Sequence, residues 1–318
     1  MVLQPLPRQP VLSLTLVPLS FSTNESLDEA IARNVLDALR EDIGTGDLTA
    51  DLLRGSGMSS TKAEARVLLR EQAVVCGRPW FDACFARLDE AVDVQWNVSE
   101  GEEVAANEVV CRISGSMTAL VTAERSALNF LQMLSGVATQ TRRYVKAIEG
   151  LSPNPRGCRI LDTRKTLPGL RHAQKYAVRM GGGTNHRLAL WDAILVKENH
   201  IEAAGGLDVI LARLAQQPLS GGAWAQVEVE TLEQLERAVT AGATMILLDN
   251  FDLNAMTQAV ALAKALAERM GAEPAVLEAS GGLGLQDLQR VAATGVDRIS
   301  IGQLTKSVMA TDYSMRIK

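Results

Sequence analysis

The sequence predicts an α/β protein, a partial α/β barrel in the second half preceded by a smaller α+β domain. Beyond Gly150, six short apolar runs, CRILDTR, DAILVKE, AQVEVE, MILLDN, AVLEASG and RISIG, alternate with other segments. Most of those segments have helical periodicity, and repeated β-α order argues a parallel sheet that rolls towards a barrel. Six strands rather than eight make the barrel partial or leave other elements to complete it. The first half has a different texture: AEARVLL, AVVCG, VDVQWNV and EVVCRISG are β-rich and separated by turns, with a helix over Phe81 to Leu88 between two of them. At 318 residues the chain can form one large domain or two smaller ones.

Residues 1–24 read as an extension or packing arm. VLSLTLVPL follows only Arg8, contains Pro18 and lacks a small-residue cleavage pattern, which argues against a signal peptide. It also falls short of the roughly 20 apolar residues of a membrane span. A helix follows, with Leu27, Ile31, Val35, Leu36 and Leu39 on one face and Asn24 or Ser26 as cap. EDIGTGDLTADLL carries no legible chemistry, RGSGMSS reads as a turn, and GEEVAANEVVCRISG reads as a tight sheet corner. The longest helical pattern covers 118–149. Gly136 after Ser135 is expected to break it into two helices and to mark the domain boundary. Glu124 and Arg125 lie on the first of these. Chemistry alone makes Arg125 half of a weak surface ion pair and leaves it outside any site. In the second half, AAGGLDVILARLAQQ, TLEQLERAVTAG, NAMTQAVALAKALAERMG and LQDLQRVAATG are the helices.

The net charge of −5 excludes a general nucleic-acid binder, which needs a broad basic surface. Cys76, Cys84, Cys111 and Cys158 show no CxxC spacing and read as buried thiols of a reducing compartment. Arg156 to His200 stands apart from this background. It holds nine Lys and Arg against three Asp and Glu, and all three histidines of the chain, His172, His186 and His200. Clustered cations repel one another unless an anion neutralises them, so the segment reads as an anion pocket. Its Gly181 to Gly183 suits ligand contact better than an exposed helix.

The polar residues fall at the strand ends. Strand one ends Asp162-Thr163-Arg164-Lys165, strand two Lys197-Glu198-Asn199-His200, strand three Glu228-Val229-Glu230, strand four Asp249-Asn250, strand five Glu278-Ala279-Ser280-Gly281-Gly282, and strand six Gly302. Barrel active sites are built at the carboxyl ends of strands, and turn preferences would explain only one or two such residues. Arg164, Lys165, His186, Arg187 and Lys197 form a cationic set suited to carboxylates or phosphates. Glu228 and Asp249 form an acidic pair suited to magnesium, which takes one or two protein carboxylates and completes its shell with water and substrate phosphate. Ser280, Gly281, Gly282 and Gly302 supply backbone amides for a phosphate.

In order and spacing, DTRKTLPGLR, QKYAV, GGGTNHR, VKENH, VEVETLEQL, LLDN, EASGG and GVDRISIG resemble the quinolinate phosphoribosyltransferases, also called nicotinate-nucleotide pyrophosphorylases (carboxylating). EDIGTGDLT and ERSALNFLQMLSG resemble the amino-terminal domain of that family, so the likeness covers about 25–315. It implies an incomplete six-to-seven-stranded α/β barrel over 138–303, an α+β domain over 25–137, and residues 304–318 packing back on that domain. It implies a cytoplasmic enzyme with magnesium that acts on quinolinate and 5-phosphoribosyl 1-pyrophosphate without nucleic acid or membrane. It also implies a homodimer, open to higher assembly, in which each amino-terminal domain covers the partner's barrel.

The resemblance also assigns roles. Arg164, His186, Arg187 and Lys197 would hold quinolinate, joined by Arg125 from the partner, against the surface-pair reading above. Lys165 would sit between the two substrates, Glu228 and Asp249 at the ribose hydroxyls and magnesium, and Ser280, Gly282 and Gly302 at the 5-phosphate. HRLAL, with Ala189, and KENH, with Glu198, depart mildly from the expected HRxGL and KDNH. Three other readings stay open: a Schiff-base lyase using Lys197 or Lys165, a non-catalytic anion binder, and a relative of the same family acting on another anionic acceptor.

Overall fold

The computed structural model describes residues 23–54, 61–219 and 221–317. The predicted extension over 1–24 lies almost wholly outside the described residues, as does most of the RGSGMSS turn. The first half contains α1 (Leu27–Ile43), α2 (Leu48–Arg54), β1 (Lys62–Leu69), β2 (Ala73–Val74), α3 (Arg78–Leu88), β3 (Asp93–Trp96), β4 (Glu103–Val104), β5 (Val109–Ser116) and α4 (Met117–Ile148). Ser26 caps α1 in a capping box with Glu29, which satisfies amides that the first turn leaves unpaired.

The second half contains β6 (Arg159–Leu161), α5 (Arg171–Met180), β7 (Ala193–Val196), α6 (Glu198–Ala204), α7 (Leu207–Gln216) and β8 (Trp224–Val229). It continues with α8 (Leu232–Thr240), β9 (Met245–Asp249), α9 (Leu253–Met270), β10 (Val276–Ser280), α10 (Leu288–Ala293), β11 (Arg298–Ser300), α11 (Gln303–Lys306) and β12 (Tyr313–Ile317).

The six expected barrel strands form one parallel sheet in the order β6-β11-β10-β9-β8-β7. An irregular segment lies between its edges. Thr184 bridges in parallel to Leu161 of β6 and donates its N–H to Ile160 O at 2.8 Å, and His186, two residues on, lies 3.0 Å from Gln226 of β8. This segment supplies the partial seventh stave. The first half builds an antiparallel sheet, β12-β1-β5-β3, so β12 returns from the far end of the chain to pair with β1.

Gly136 does not break the long helix: α4 runs unbroken for 32 residues. A Cβ at Gly136 would lie 2.0 Å from the carbonyl oxygen of Met309, where the returning chain crosses the helix. The glycine therefore permits a close backbone approach. Its helical cost of about 1 kcal/mol is offset by packing, because α4 is buried along its whole length, from Ala119 and Leu120 to Tyr144 and Ile148.

Near the barrel mouth, α1 grips the loop after Lys165. Arg33 and Asn34 both donate to Gly169 O, at 3.1 and 2.9 Å, and the buried Trp80 indole donates to Asn34 Oδ1 at 3.3 Å. All four cysteines are unpaired. Burial pushes the thiols of Cys84 and Cys158 up to about 12 and raises those of Cys76 and Cys111 as well, so none is an activated nucleophile. Among the described residues no helix is long and apolar enough to cross a membrane.

Candidate active site

The carboxyl ends of the parallel strands open into a cavity of about 490 Å³. Arg164, Lys165, His186, Arg187, Lys197, Glu228, Asp249, Ser280, Gly281, Gly282 and Gly302 all line it. Of the residues expected at the site, Arg125 alone lies elsewhere, exposed on α4.

One wall is cationic and short of counter-charge. Arg187 is 9% exposed, and its Nη1 donates to Ala193 O at 3.2 Å. Burial and then the charge of Arg164 lower the pKa of Arg187, with Asp192 opposing. The same two causes lower that of Arg171. Arg164 Nε is buried with no hydrogen-bond partner among the described residues. A buried donor left unmade costs about 1–3 kcal/mol, so Arg164 and Arg187, which both line the cavity, form a site that an anion would complete.

The opposite wall is acidic. Lys197 Nζ lies 2.5 Å from Glu228 Oε2, and Glu228 is 6% exposed. Burial raises the Glu228 pKa, while Lys197 pulls it down through hydrogen bonding and charge. A hydrogen bond to Glu228 lowers the pKa of Glu198, so the KENH departure puts a second carboxyl against the first. Asp249 ends β9, with its Oδ2 accepting from Asn250 Nδ2 at 2.9 Å.

The third side is built for close approach. Asn250 N donates to Ser280 O at 3.0 Å, and a Cβ at Gly281, φ +110°, would lie 2.2 Å from Asn250 Oδ1. Only glycine fits there. At Gly302 a Cβ would lie 3.0 Å from Lys165 Cδ, so the bare backbone leaves the lysine its path. The Lys165 backbone is anchored at both ends: its N–H donates to Thr163 Oγ1 at 3.1 Å, and its carbonyl accepts from Thr305 Oγ1 at 2.8 Å.

Behind the cationic wall, Asp162 is fully buried and ties several strands of chain together. It pairs with Lys175, itself 1% exposed, and accepts from Asn185 Nδ2 and from His186 N, the latter at 2.9 Å. Lys175 also donates to His186 O at 3.0 Å. The backbone that carries His186 and Arg187 is thereby held from below.

The triple glycine has a different role from ligand contact. A Cβ at Gly181 would lie 2.5 Å from Ala138 O, and one at Gly183 would lie 2.8 Å from Thr141 Cγ2, so these glycines let α5 close onto α4. His200 is exposed, and its Nδ1 accepts from Lys197 N at 2.9 Å at the start of α6. His172 lies 3.8 Å from Glu25, away from the main cavity.

Leu195, Leu247, Ser300, Gln303 and Lys306 also line the cavity, as does Glu278, which sequence reasoning placed at a strand end but gave no role. Leu195, Leu247, Glu278 and Ser300 each lie two residues before a predicted site residue. Side chains alternate along a strand, so that offset finds the layer just beneath the site.

A barrel whose strand ends set guanidiniums against carboxylates beside a glycine-rich turn defines an enzyme for polyanionic small molecules. The comparisons with other proteins are more specific. Residues 137–316 match the quinolinate phosphoribosyl transferase C-terminal domain and 47–135 the N-terminal domain of the same family. A probable nicotinate-nucleotide pyrophosphorylase [carboxylating] of Bacillus subtilis is 38% identical over 277 residues, 87% of this chain and 90% of that one. The nicotinate-nucleotide pyrophosphorylase [carboxylating] of Mycobacterium leprae is 36% identical over 294 residues, 90% and 97% of the two chains. The solved nicotinate-nucleotide pyrophosphorylase from Francisella tularensis superposes with a TM-score of 0.82 at 37% identity, covering 93% of this chain and all of that one. The chain belongs to the quinolinate phosphoribosyltransferase family.

Proposed function

We propose that this protein transfers the phosphoribosyl group of 5-phosphoribosyl 1-pyrophosphate to quinolinate with decarboxylation, giving nicotinate mononucleotide, pyrophosphate and carbon dioxide. The observation that carries this reading is the cluster of Arg164 and Arg187, short of counter-charge, facing Glu228 and Asp249 across one cavity beside a glycine turn. A dicarboxylate completes the first wall, and a phosphorylated sugar spans the other two.

Among the described residues no group of three or more His, Cys, Asp or Glu side chains could hold a metal ion alone. Two carboxylates at the cavity wall do suit magnesium, which relies on water and substrate phosphate for its other ligands. Glu228 and Asp249 would hold it, and when bound it would neutralise charge on the departing pyrophosphate.

The chain's own residues do the rest. Arg164, Arg187 and Lys197 orient the dicarboxylate so that its ring nitrogen faces the anomeric carbon. Lys165 stabilises the leaving pyrophosphate, and the acidic wall faces the oxocarbenium-like carbon. Once bonded to ribose, the ring nitrogen is cationic and stabilises the electron pair left on the adjacent ring carbon as carbon dioxide departs, and a proton from solvent then takes the place of the lost carboxylate on that carbon. No protein nucleophile is required. Holding two anions in reacting geometry contributes up to about 7–11 kcal/mol in favourable cases. A Schiff-base lyase fits less well: such a lysine must be neutral and desolvated, whereas Lys197 is ion-paired with Glu228 and Lys165 is exposed.

With quinolinate, phosphoribosyl pyrophosphate and magnesium, the purified protein is expected to form nicotinate mononucleotide, and none with nicotinate as acceptor. No product from quinolinate by the folded protein would remove the assignment.

The exposed position of Arg125 on α4 supports a homodimer with shared sites, and the four unpaired cysteines suit the reducing cytoplasm. Arg125 is exposed on α4, to which Thr122 ties Asp47 at 2.9 Å, just before the exposed Leu48 (83%) and Leu52 (76%) of α2. Leu190 (71% exposed) and Trp191 (52%) stand in the loop that follows Arg187. These apolar surfaces suit a partner copy. Arg125→Ala and Lys165→Ala subunits are each expected to be nearly inactive, and mixing them is expected to restore activity, because a hybrid dimer has one intact site. Proven hybrids without activity would exclude the shared site.

A further inference from the structure

A buried chain of hydrogen bonds runs beneath the cavity floor from Arg187 through His186 and Gln226 to Glu278. Its direction is set at one end by a group that can only donate. The backbone N–H of Arg187 lies 2.8 Å from His186 Nδ1, so Nδ1 is the bare, accepting nitrogen. A proton on Nδ1 would face that N–H, so the ring is neutral and carries its hydrogen on Nε2. Burial acts the same way and lowers the pKa of His186, against the charge of Glu278.

The next links follow. His186 Nε2 lies 3.0 Å from Gln226 Oε1, which accepts its hydrogen. The Gln226 NH₂ then faces Glu278 and donates to Oε2 at 3.1 Å. Gln226 and Glu278 are each 0% exposed, and His186 is 7% exposed, with Trp224 edge-on at a centroid distance of 5.2 Å. Glu278 Oε1 has no hydrogen-bond partner among the described residues and lies 3.4 Å from the same Nε2, so its charge also favours a hydrogen there. Both imidazole nitrogens are engaged by protein. His186 has no N–H left to donate to a substrate carboxylate.

We infer that Gln226 is a positioning residue for the dicarboxylate: from β8 it locks His186 as the Nε2–H tautomer, and so holds the Arg187 backbone and its guanidinium in the anion wall. His186 acts through Arg187, and Glu278 orients the Gln226 amide. This rests on the proposed function for the identity of the anion but not for the tautomer. A glutamine is suited to the link because it alone among uncharged side chains of its length offers an acceptor to His186 and a donor to Glu278 at once. Methionine has a similar length and does neither.

The test has two readouts. Imidazole nitrogen-15 spectra of the full-length wild-type protein at neutral pH, assigned with His172→Gln and His200→Gln, are expected to show His186 with a protonated Nε2 and a bare Nδ1. In Gln226→Met the KM for quinolinate is expected to rise about tenfold, the scale of one lost charge-assisted contact, with the KM for phosphoribosyl pyrophosphate unchanged. A merely structural defect would reduce the amount of active enzyme without separating the two constants. A protonated Nδ1 in the wild type overturns the inference whether or not the variant folds, as does an unchanged quinolinate KM in folded Gln226→Met. If the wild type does not consume quinolinate at all, the functional reading fails, and the nitrogen spectrum still decides the tautomer.

Discussion

Replacing Lys165 by alanine is expected to lower kcat by about 10²- to 10³-fold while the thermal unfolding midpoint stays close to that of the wild type. The two halves of this expectation have separate causes. Lys165 is exposed, and its ammonium forms no ion pair among the described residues, so folding gains little from the side chain. Surface changes of that kind stay within about 0.5 kcal/mol. The backbone beneath it is fixed by Thr163 and Thr305, and Gly302 leaves the stem its path, so the charge is delivered to the cavity without reorganisation.

A cation that meets charge developing on the leaving group acts in the transition state more than in the ground state. Its loss therefore appears in kcat rather than in quinolinate KM. Arg164 should behave in the opposite way, because its guanidinium, with a buried Nε that lacks a partner among the described residues, is suited to a carboxylate bound equally in both states. Steady-state kinetics on Lys165→Ala decide the matter. A wild-type kcat would remove Lys165 from the leaving-group side and reopen the question of where pyrophosphate departs.

The division of labour on the strands was legible in the sequence because it depends on local rules. Charged and small residues closing six consecutive apolar runs marked one end of a parallel sheet, and Arg164, Lys165, Glu228, Asp249, Ser280 and Gly302 all reach the cavity from those ends. The layer below was not read, although the same alternation that puts Glu228 and Ser280 at the mouth puts Gln226 and Glu278 beneath it. Gly136, Gly181 and Gly183 were misread for a common reason. Their function is a close approach by chain distant in sequence, the Met309 carbonyl in one case and α4 in the other, and no local pattern encodes which segment will arrive. Arg125 is a further case, since its proposed role requires a second subunit and nothing on α4 distinguishes it from a solvated arginine.

Lys175→Met is expected to lower the free energy of unfolding by about 3–5 kcal/mol, the usual result of removing one partner of a buried ion pair. Burial raises the pKa of Asp162 although Lys175 attracts a negative charge there, and burial lowers that of Lys175 although Asp162 attracts a positive one. In both groups desolvation outweighs the attraction, so the pair is retained at a cost. What it provides is geometry. Asp162 accepts from Lys175, Asn185 and the His186 backbone, and Lys175 donates onward to His186 O, which fixes the turn that carries Arg187 into the cavity. Removing Lys175 alone leaves a carboxylate in the interior with only neutral donors. The Asp162→Asn/Lys175→Met double variant should recover part of the loss, since an amide oxygen still accepts from His186 N–H and no charge is stranded. Urea unfolding of the single and double variants at one protein concentration measures the coupling directly. If Lys175→Met fell within about 1 kcal/mol of the wild type, the interior would not hold an ionised pair at this position, and the His186–Arg187 turn would have to be fixed by Asn185 and the Thr184 bridge alone.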